Sequence, residues 1–301
     1  MYDVLIIGGG PAGLTAAVYA LRAGKSVLVL EKAAFGGQIT WSPKVENFPG
    51  SVSLTGNEIG DMLLNQALEQ GAEVELEEIE KIEKTPSGFK AISAGGAVFE
   101  GKALISALGA KPRMMGIEKE NELIGNGVCF CAVCDGAFYS GKDVAVYGGG
   151  NSALQDALLL SETCSKVYLI HRRDSFRGEA KLTEALKSKA NVEFILNATI
   201  TGLSGESELT GVEINQAGEV RSLPVEGLFV AIGHAPDNSI ISEFAALDKS
   251  GYADSDESCL TKTPGLFAAG DCRRKSVRQV ATACSDGAVA ALGACSYIDS
   301  L

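Results

Sequence analysis

The chain has 301 residues, enough for about two domains that each bury a core. Hydrophobic residues make up 46% and charged residues 21%, which excludes a disordered chain. The net charge of -12 excludes nucleic acid or an anionic membrane as a partner unless a strong basic patch overcomes it.

Residues 4–21 carry no charge, a run of 18. That length raises the possibility of a membrane span or a signal peptide. Gly8, Gly9, Gly10, Pro11 and Gly13 break such a helix in its middle, and Asp3 stands where a signal peptide starts basic. The protein is therefore expected to be soluble and cytoplasmic.

The run reads instead as a buried strand, a Gly-rich turn and a helix. Gly8, Gly10 and Gly13 follow the strand and open the helix. Such glycines let the backbone approach a pyrophosphate, and the helix start aims its N–H groups at the phosphates. Glu31 ends the next apolar strand, at the spacing where an acid takes ribose hydroxyls. Further on, residues 55–70 read as a helix and 72–76 as a half-exposed strand. The acidic run 69–83 reads as a solvated face. Ser87-Gly88 and Gly95-Gly96 mark hairpin turns. Residues 102–107 read as a short apolar strand, and Lys111-Pro112 follows as a crossover.

Eight cysteines are too few for a disulfide scaffold, and the first lies at position 129. Cys129, Cys131 and Cys134 then fall within six residues. Zinc wants four ligands, but the chain has two His and no second Cys-x-x-Cys. A reversible disulfide between Cys131 and Cys134 fits better. Two intervening residues at a helix start bring the sulfurs together, and the helix dipole lowers a thiolate pKa. Asp135 is placed to give a proton to a leaving thiolate. Cys129 is expected to pack on a strand. The scattered Cys164, Cys259, Cys272, Cys284 and Cys295 read as small buried residues.

The chain repeats itself at an offset of 140. Asp3-Val4-Leu5-Ile6-Ile7-Gly8-Gly9-Gly10 answers to Asp143-Val144-Ala145-Val146-Tyr147-Gly148-Gly149-Gly150. Each copy is a strand–turn–helix–strand unit, so two nucleotide-binding domains are expected. The second turn has Gly148, Gly150 and Ala153. Where the first copy has Glu31, the second has His171, followed by Arg172, Arg173 and Arg177. A carboxylate there repels a 2′-phosphate, whereas arginines bind one. The first copy should take an adenosine with a free ribose, and the second NADPH. Residues 228–232 read as another strand, and 233–237 as a second crossover. Residues 266–269 form a last strand ending in Gly270-Asp271, and 278–297 a closing helix. The expected architecture is α/β, with two Rossmann-like domains, the NADPH-binding one (112–236) inserted into the one built on the first copy (1–111 and 237–301).

Eight motifs together carry a resemblance. They are Gly8-Gly9-Gly10-Pro11-Ala12-Gly13, Gly36-Gly37-Gln38-Ile39, Val45-Glu46-Asn47-Phe48-Pro49-Gly50 and Cys131-Ala132-Val133-Cys134-Asp135-Gly136. The others are Gly148-Gly149-Gly150-Asn151-Ser152-Ala153, His171-Arg172-Arg173-Asp174-Ser175-Phe176-Arg177, Gly265-Leu266-Phe267-Ala268-Ala269-Gly270-Asp271 and Arg278-Gln279-Val280. With them the chain resembles the low-molecular-weight bacterial thioredoxin reductases over essentially its full length. The resemblance implies FAD in the first domain, with Asp271 on its ribityl chain and Gln279-Val280 at its pyrimidine edge. Asn47 would lie beside the isoalloxazine, and Gly37, Gln38 and Arg278 join the FAD set. Asn151, Ser152 and Ala153 join the NADPH set. Cys134 would face the flavin, Cys131 would attack the partner disulfide, and Asp135 would be the acid. The implied partner is thioredoxin or a thioredoxin-like protein, and the implied assembly a homodimer. Nicotinamide and disulfide would both ride on the inserted domain, so that domain is expected to turn during catalysis.

Three departures stand out: Trp41 and Pro43 in a loop where the family often has Thr, Cys129 as an extra thiol, and Pro236-Asp237 for Pro-Asn. Two rival enzymes weigh less. A reductase of a glutaredoxin-like or peroxiredoxin-linked carrier would favour NADH, against the arginines. A small-molecule dithiol oxidase needs no pyridine-nucleotide site, and this chain keeps a complete one. A non-catalytic redox sensor would not need the intact Cys-x-x-Cys-Asp.

Overall fold

In the computed structural model, residues 1–42 and 44–301 are described. Pro43, one of the loop departures, lies outside the described residues. Strand β1 (Tyr2–Ile7) is the first half of the uncharged run, with Val4, Leu5 and Ile6 fully buried. A parallel strand covered on both faces has no solvent side, which is why the run is apolar throughout. Helix α1 (Pro11–Arg22) starts on Gly10, with Pro11 in the first turn where no N–H is needed. Strand β2 (Val27–Glu31) pairs parallel with β1.

Helix α2 (Gly56–Glu69) starts on a reciprocal cap at Thr55. The Thr55 hydroxyl accepts the Glu58 N–H at 3.1 Å, and the Glu58 carboxylate accepts the Thr55 N–H at 2.7 Å. Strands β3 (Glu73–Leu76), β4 (Ile79–Thr85), β5 (Gly88–Ser93) and β6 (Val98–Ser106) follow. The strand expected at 102–107 is the inner half of β6. Its outer half, from Val98 to Gly101, pairs antiparallel with β5, and its inner half pairs parallel with β1. The outer half is less apolar because it is less covered. Strand β7 (Ala110–Pro112) ends this part.

The next segment opens with β8 (Val128–Cys129) and the short helix α3 (Ala132–Asp135). It continues through β9 (Asp143–Gly148), α4 (Asn151–Leu160), β10 (Lys166–His171), α5 (Ala180–Lys187) and β11 (Val192–Leu196). Strands β12 (Ala198–Ser204), β13 (Gly211–Gln216) and β14 (Glu219–Leu223) make an antiparallel sheet of their own. Strand β15 (Gly227–Ala231) returns to pair with β9. Then come β16 (His234–Pro236), β17 (Leu266–Ala268) and the long helix α6 (Val280–Asp299).

Contacts divide the chain into two units, Met1–Lys111 with Ala235–Leu301, and Pro112–His234. The first is built on a sheet ordered β3-β2-β1-β6-β5-β4, with β17 also on β6. The second has a parallel sheet ordered β11-β10-β9-β15-β8. The connecting strands β7 and β16 pair with each other. In the first unit α1, α2 and α6 cover one sheet face, around Leu14, Ile59, Ile105 and Ala290. A Cβ at Gly287 would stand 2.1 Å from the Ala12 carbonyl oxygen, so glycine lets α6 approach α1 closely. Among the described residues no helix is long and apolar enough to cross a membrane.

Candidate active site

Cys131 and Cys134 form a disulfide, with Cα atoms 5.3 Å apart. Cys131 caps α3 in an extended conformation, and its Sγ accepts the Cys134 N–H at 3.2 Å. The helix runs only four residues before a 3-10 turn, Gly136–Tyr139. This one N–H, rather than a long dipole, favours a Cys131 thiolate. Both sulfurs belong to half-buried residues, and the intervening Val133 is 60% exposed. Val133 therefore presents an apolar tip between the two cysteines.

Asp135 follows directly, with Oδ1 buried and, among the described residues, without a hydrogen-bond partner. Burial pushes its carboxyl up to about 6, and Cys129 pulls slightly against this. Cys129 lies on β8, as expected of a packed residue, 5% exposed and 3.4 Å from the Tyr139 hydroxyl. Burial and the nearby Asp135 push its thiol up to about 12. A thiol that stays protonated is a poor nucleophile, so Cys129 is poorly suited to exchange. Cys129→Ser should keep disulfide reduction within about threefold of wild type. Loss of turnover with FAD still bound would show that the wrong cysteines have been paired. Among the described residues no group of His, Cys, Asp or Glu could hold a metal ion.

The first Gly turn is tight at its ends and open in its middle. A Cβ at Gly8 would stand 2.2 Å from the Ala107 carbonyl oxygen, and one at Gly13 1.9 Å from the Gly8 carbonyl oxygen. A Cβ at Gly10 meets nothing nearer than 3.8 Å. The packed glycines hold strand to helix, and the open one leaves room for a phosphate. The Glu31 carboxylate accepts the Gly9 N–H at 2.7 Å and the Ala33 N–H at 3.0 Å. It is thus fixed at the end of β2 with lone pairs to spare for hydroxyls. Gln38 donates to the Ala110 carbonyl at 3.0 Å, beside Gly37 in the 3-10 turn Gly37–Trp41.

Asp271 sits after β17 with Oδ1 buried and unpartnered. Burial pushes its carboxyl up, while the cations of Lys275 and Arg278 pull it down. A buried acceptor of this kind fits a ligand hydroxyl. Arg278 stacks on Tyr252, 4.1 Å from the ring centroid. Gln279 caps α6 ahead of Val280, and Asn47 donates to its side chain at 3.2 Å. Asn47, Gln279, Val280 and Asp271 all belong to the first unit.

The second turn repeats this logic. A Cβ at Gly148 would stand 2.3 Å from the Ala231 carbonyl oxygen, whereas Gly150 faces open space. Ala153 is buried, and Asn151 and Ser152 lie exposed at the start of α4. Asn151 is tied to Glu179 by two hydrogen bonds. The Arg177 N–H donates to the Gly149 carbonyl at 2.7 Å, which folds the arginine loop back onto the turn. Arg172, Arg173 and Arg177 are all exposed, and among the described residues none of them is in a salt bridge. They are free to take an anion. His171 is different. It is 4% exposed, its ring fills the space beside Gly149, and it stacks on Phe176 at 5.5 Å. Burial, then the three arginines, lower its pKa, so it stays neutral. Its Nε2 is buried without a partner. Its place is the floor of the turn rather than the cationic rim.

Residues 2–287 match the family described as pyridine nucleotide-disulphide oxidoreductase. The chain is 38% identical to thioredoxin reductase of Listeria monocytogenes, covering 100% of this chain and 95% of that protein. It is 40% identical to thioredoxin reductase of Treponema pallidum, covering 100% and 98%. The chain belongs to the pyridine nucleotide-disulphide oxidoreductases, among the thioredoxin reductases. The crystal structure of thioredoxin reductase from Streptococcus pyogenes superposes with a TM-score of 0.94 at 35% identity, covering 100% of this chain and 99% of that one. The two-domain α/β architecture is that of these relatives.

One cluster of charged residues escapes the sequence reading. Asp286 of α6 binds Arg273 and Lys275 in the interior of the first unit. The signal was present: Asp286 is the only charge in residues 280–297. A lone acid in a helix this apolar calls for a buried cation.

Proposed function

We propose that the chain is an NADPH-dependent flavoprotein disulfide reductase that reduces a thioredoxin-type protein. The observation that carries this is the Cys131–Cys134 disulfide in the same unit as a Gly turn followed by three exposed arginines. Held at the second and the first Gly turn, NADPH and FAD would supply the two electrons that the Cys131–Cys134 disulfide takes up. Met1–Lys111 with Ala235–Leu301 is the FAD domain on this reading, and Pro112–His234 the NADPH domain. Glu31 and the Gly8–Gly13 turn hold the adenosine side, and Asp271, Arg278, Gln279, Val280 and Asn47 the flavin side. Arg172, Arg173 and Arg177 hold the 2′-phosphate above a floor made by His171. The reading also requires the NADPH domain to bring its nicotinamide and its disulfide to the flavin in turn.

The residues of this chain then act in sequence. Two electrons and two protons convert the disulfide into the Cys131 and Cys134 thiols. The Cys131 thiolate, favoured by the Cys134 N–H, attacks the partner disulfide and releases one partner thiolate. Cys134 then attacks the mixed disulfide, closes the Cys131–Cys134 bond and frees the partner as a dithiol. Asp135 gives its proton to the leaving thiolate. A cytoplasmic homodimer fits this role.

The raised Asp135 carboxyl, at about 6, sets a pH dependence. The proton is held below that pH and lost above it, so donation weakens as pH rises. Once the Cys131 thiol is fully ionised, the exchange step should fall about tenfold per pH unit above the midpoint. Asp135→Asn should slow exchange and flatten that limb. An unchanged limb, followed by stopped-flow mixing of the reduced enzyme with a thioredoxin-type disulfide, would remove Asp135 from the reaction.

A further inference from the structure

Asp286 lies in the middle of α6, 6% exposed. Its Oδ2 accepts the Gly270 N–H at 3.0 Å, the Arg273 Nε–H at 2.9 Å and the Lys275 ammonium at 2.7 Å. Its Oδ1 accepts the Arg273 Nη2–H at 2.9 Å. Arg273 thus grips the carboxylate with both prongs of its guanidinium, itself 7% exposed. Lys275 also donates to the Thr282 carbonyl at 3.2 Å, and Arg273 Nη1 to the Asp256 carbonyl at 3.3 Å. One carboxylate therefore holds the chain at residues 270, 273 and 275.

Asp271 stands inside that grip. The residue before it, Gly270, is at φ +79, and a Cβ there would stand 2.8 Å from the Ala12 Cβ. The turn is therefore pressed against the first residues of α1, the helix that opens from the first Gly turn. Asp271 Oδ1 is buried there with no hydrogen-bond partner among the described residues. Burying an unpaired acceptor is unfavourable, and the backbone would relax to bring it to water unless something held it. The four bonds to Asp286 on either side of Asp271 are what hold it.

We propose that Asp286, through Arg273 and the Gly270 N–H, is the positioning residue that keeps Asp271 aimed at a ribityl hydroxyl of FAD. The proposal rests on the reading of Asp271 as a flavin ligand. Asp286 touches no ligand on this view and acts only through the turn.

A double-mutant cycle on FAD binding to the apoprotein tests it, read by quenching of flavin fluorescence. Asp271→Asn should weaken FAD binding about 50-fold, and Asp286→Asn about 30-fold. The double variant should bind no more than about 100-fold more weakly than wild type, because Asp286 then has nothing left to aim. An additive loss of about 1,500-fold would overturn the proposal, leaving Asp286 a purely structural ion pair. Unchanged FAD affinity in Asp271→Asn alone would overturn the reading of Asp271, and the proposal with it. If apo Asp286→Asn does not fold, Arg273→Lys replaces it in the cycle. That variant keeps the charge and loses the two-pronged grip, and the same non-additivity is expected.

Discussion

Cys134→Ser is expected to fold, bind FAD and let NADPH bleach the flavin, yet to reduce a thioredoxin-type disulfide at least about 1,000-fold more slowly. The expectation follows from the pairing of Cys131 with Cys134. Without Cys134 there is no disulfide to receive electrons and no thiol to resolve a mixed disulfide. No other thiol can stand in. Cys129 is buried, and its thiol is pushed up to about 12. The five remaining free cysteines are buried or half-buried, and burial raises the thiol pKa of each. Serine is close to isosteric, so the fold should be spared. A Cys134→Ser protein that still turned over the disulfide at a tenth of the wild-type rate would mean that electrons leave by another route.

The second large effect belongs to the arginine loop. Arg172→Ala with Arg173→Ala should lower kcat/KM for NADPH by about two orders of magnitude, since each charge-assisted contact contributes about 1.5 kcal/mol at an exposed site. The same variant should use NADH within about threefold of wild type, because NADH has no 2′-phosphate. The backbone of the loop should survive the change. Arg177 and Gly178 hold it to the Gly149 carbonyl through main-chain N–H groups, and Asn197 donates to the Arg173 carbonyl. Equal losses with both nucleotides would show that the loop acts on stability rather than on the phosphate.

Much of this site is legible in the sequence because its signals are local. The Gly turns, the apolar strands before them and the Cys-x-x-Cys pair each occupy a few consecutive residues. Their constraints, such as the Gly13 Cβ clash with the Gly8 carbonyl, arise within one turn of chain. What the sequence hides is set by distant packing. His171 stands in line with Arg172 and Arg173 but is buried, because β10 is covered on both faces to its last residue, which falls against Gly149. Asp286 meets Arg273 across 13 positions, from α6 to the segment that follows β17. The antiparallel sheet β12-β13-β14 goes unread, although Ile200, Val212 and Ile214 are buried in it. Its β13–β14 turn uses Ala217 at φ +54 before Gly218, a place where the usual Asn or Gly signal is half missing.

Electrons from NADPH are expected to reach Cys131 and Cys134. The most direct measurement is anaerobic reduction of the FAD-loaded protein with a slight excess of NADPH, followed by thiol alkylation and peptide mass spectrometry. Cys131 and Cys134 should pass from disulfide to alkylated thiols, and a thioredoxin-type disulfide added before alkylation should restore the bond. A bleached flavin beside an intact Cys131–Cys134 disulfide would contradict this expectation.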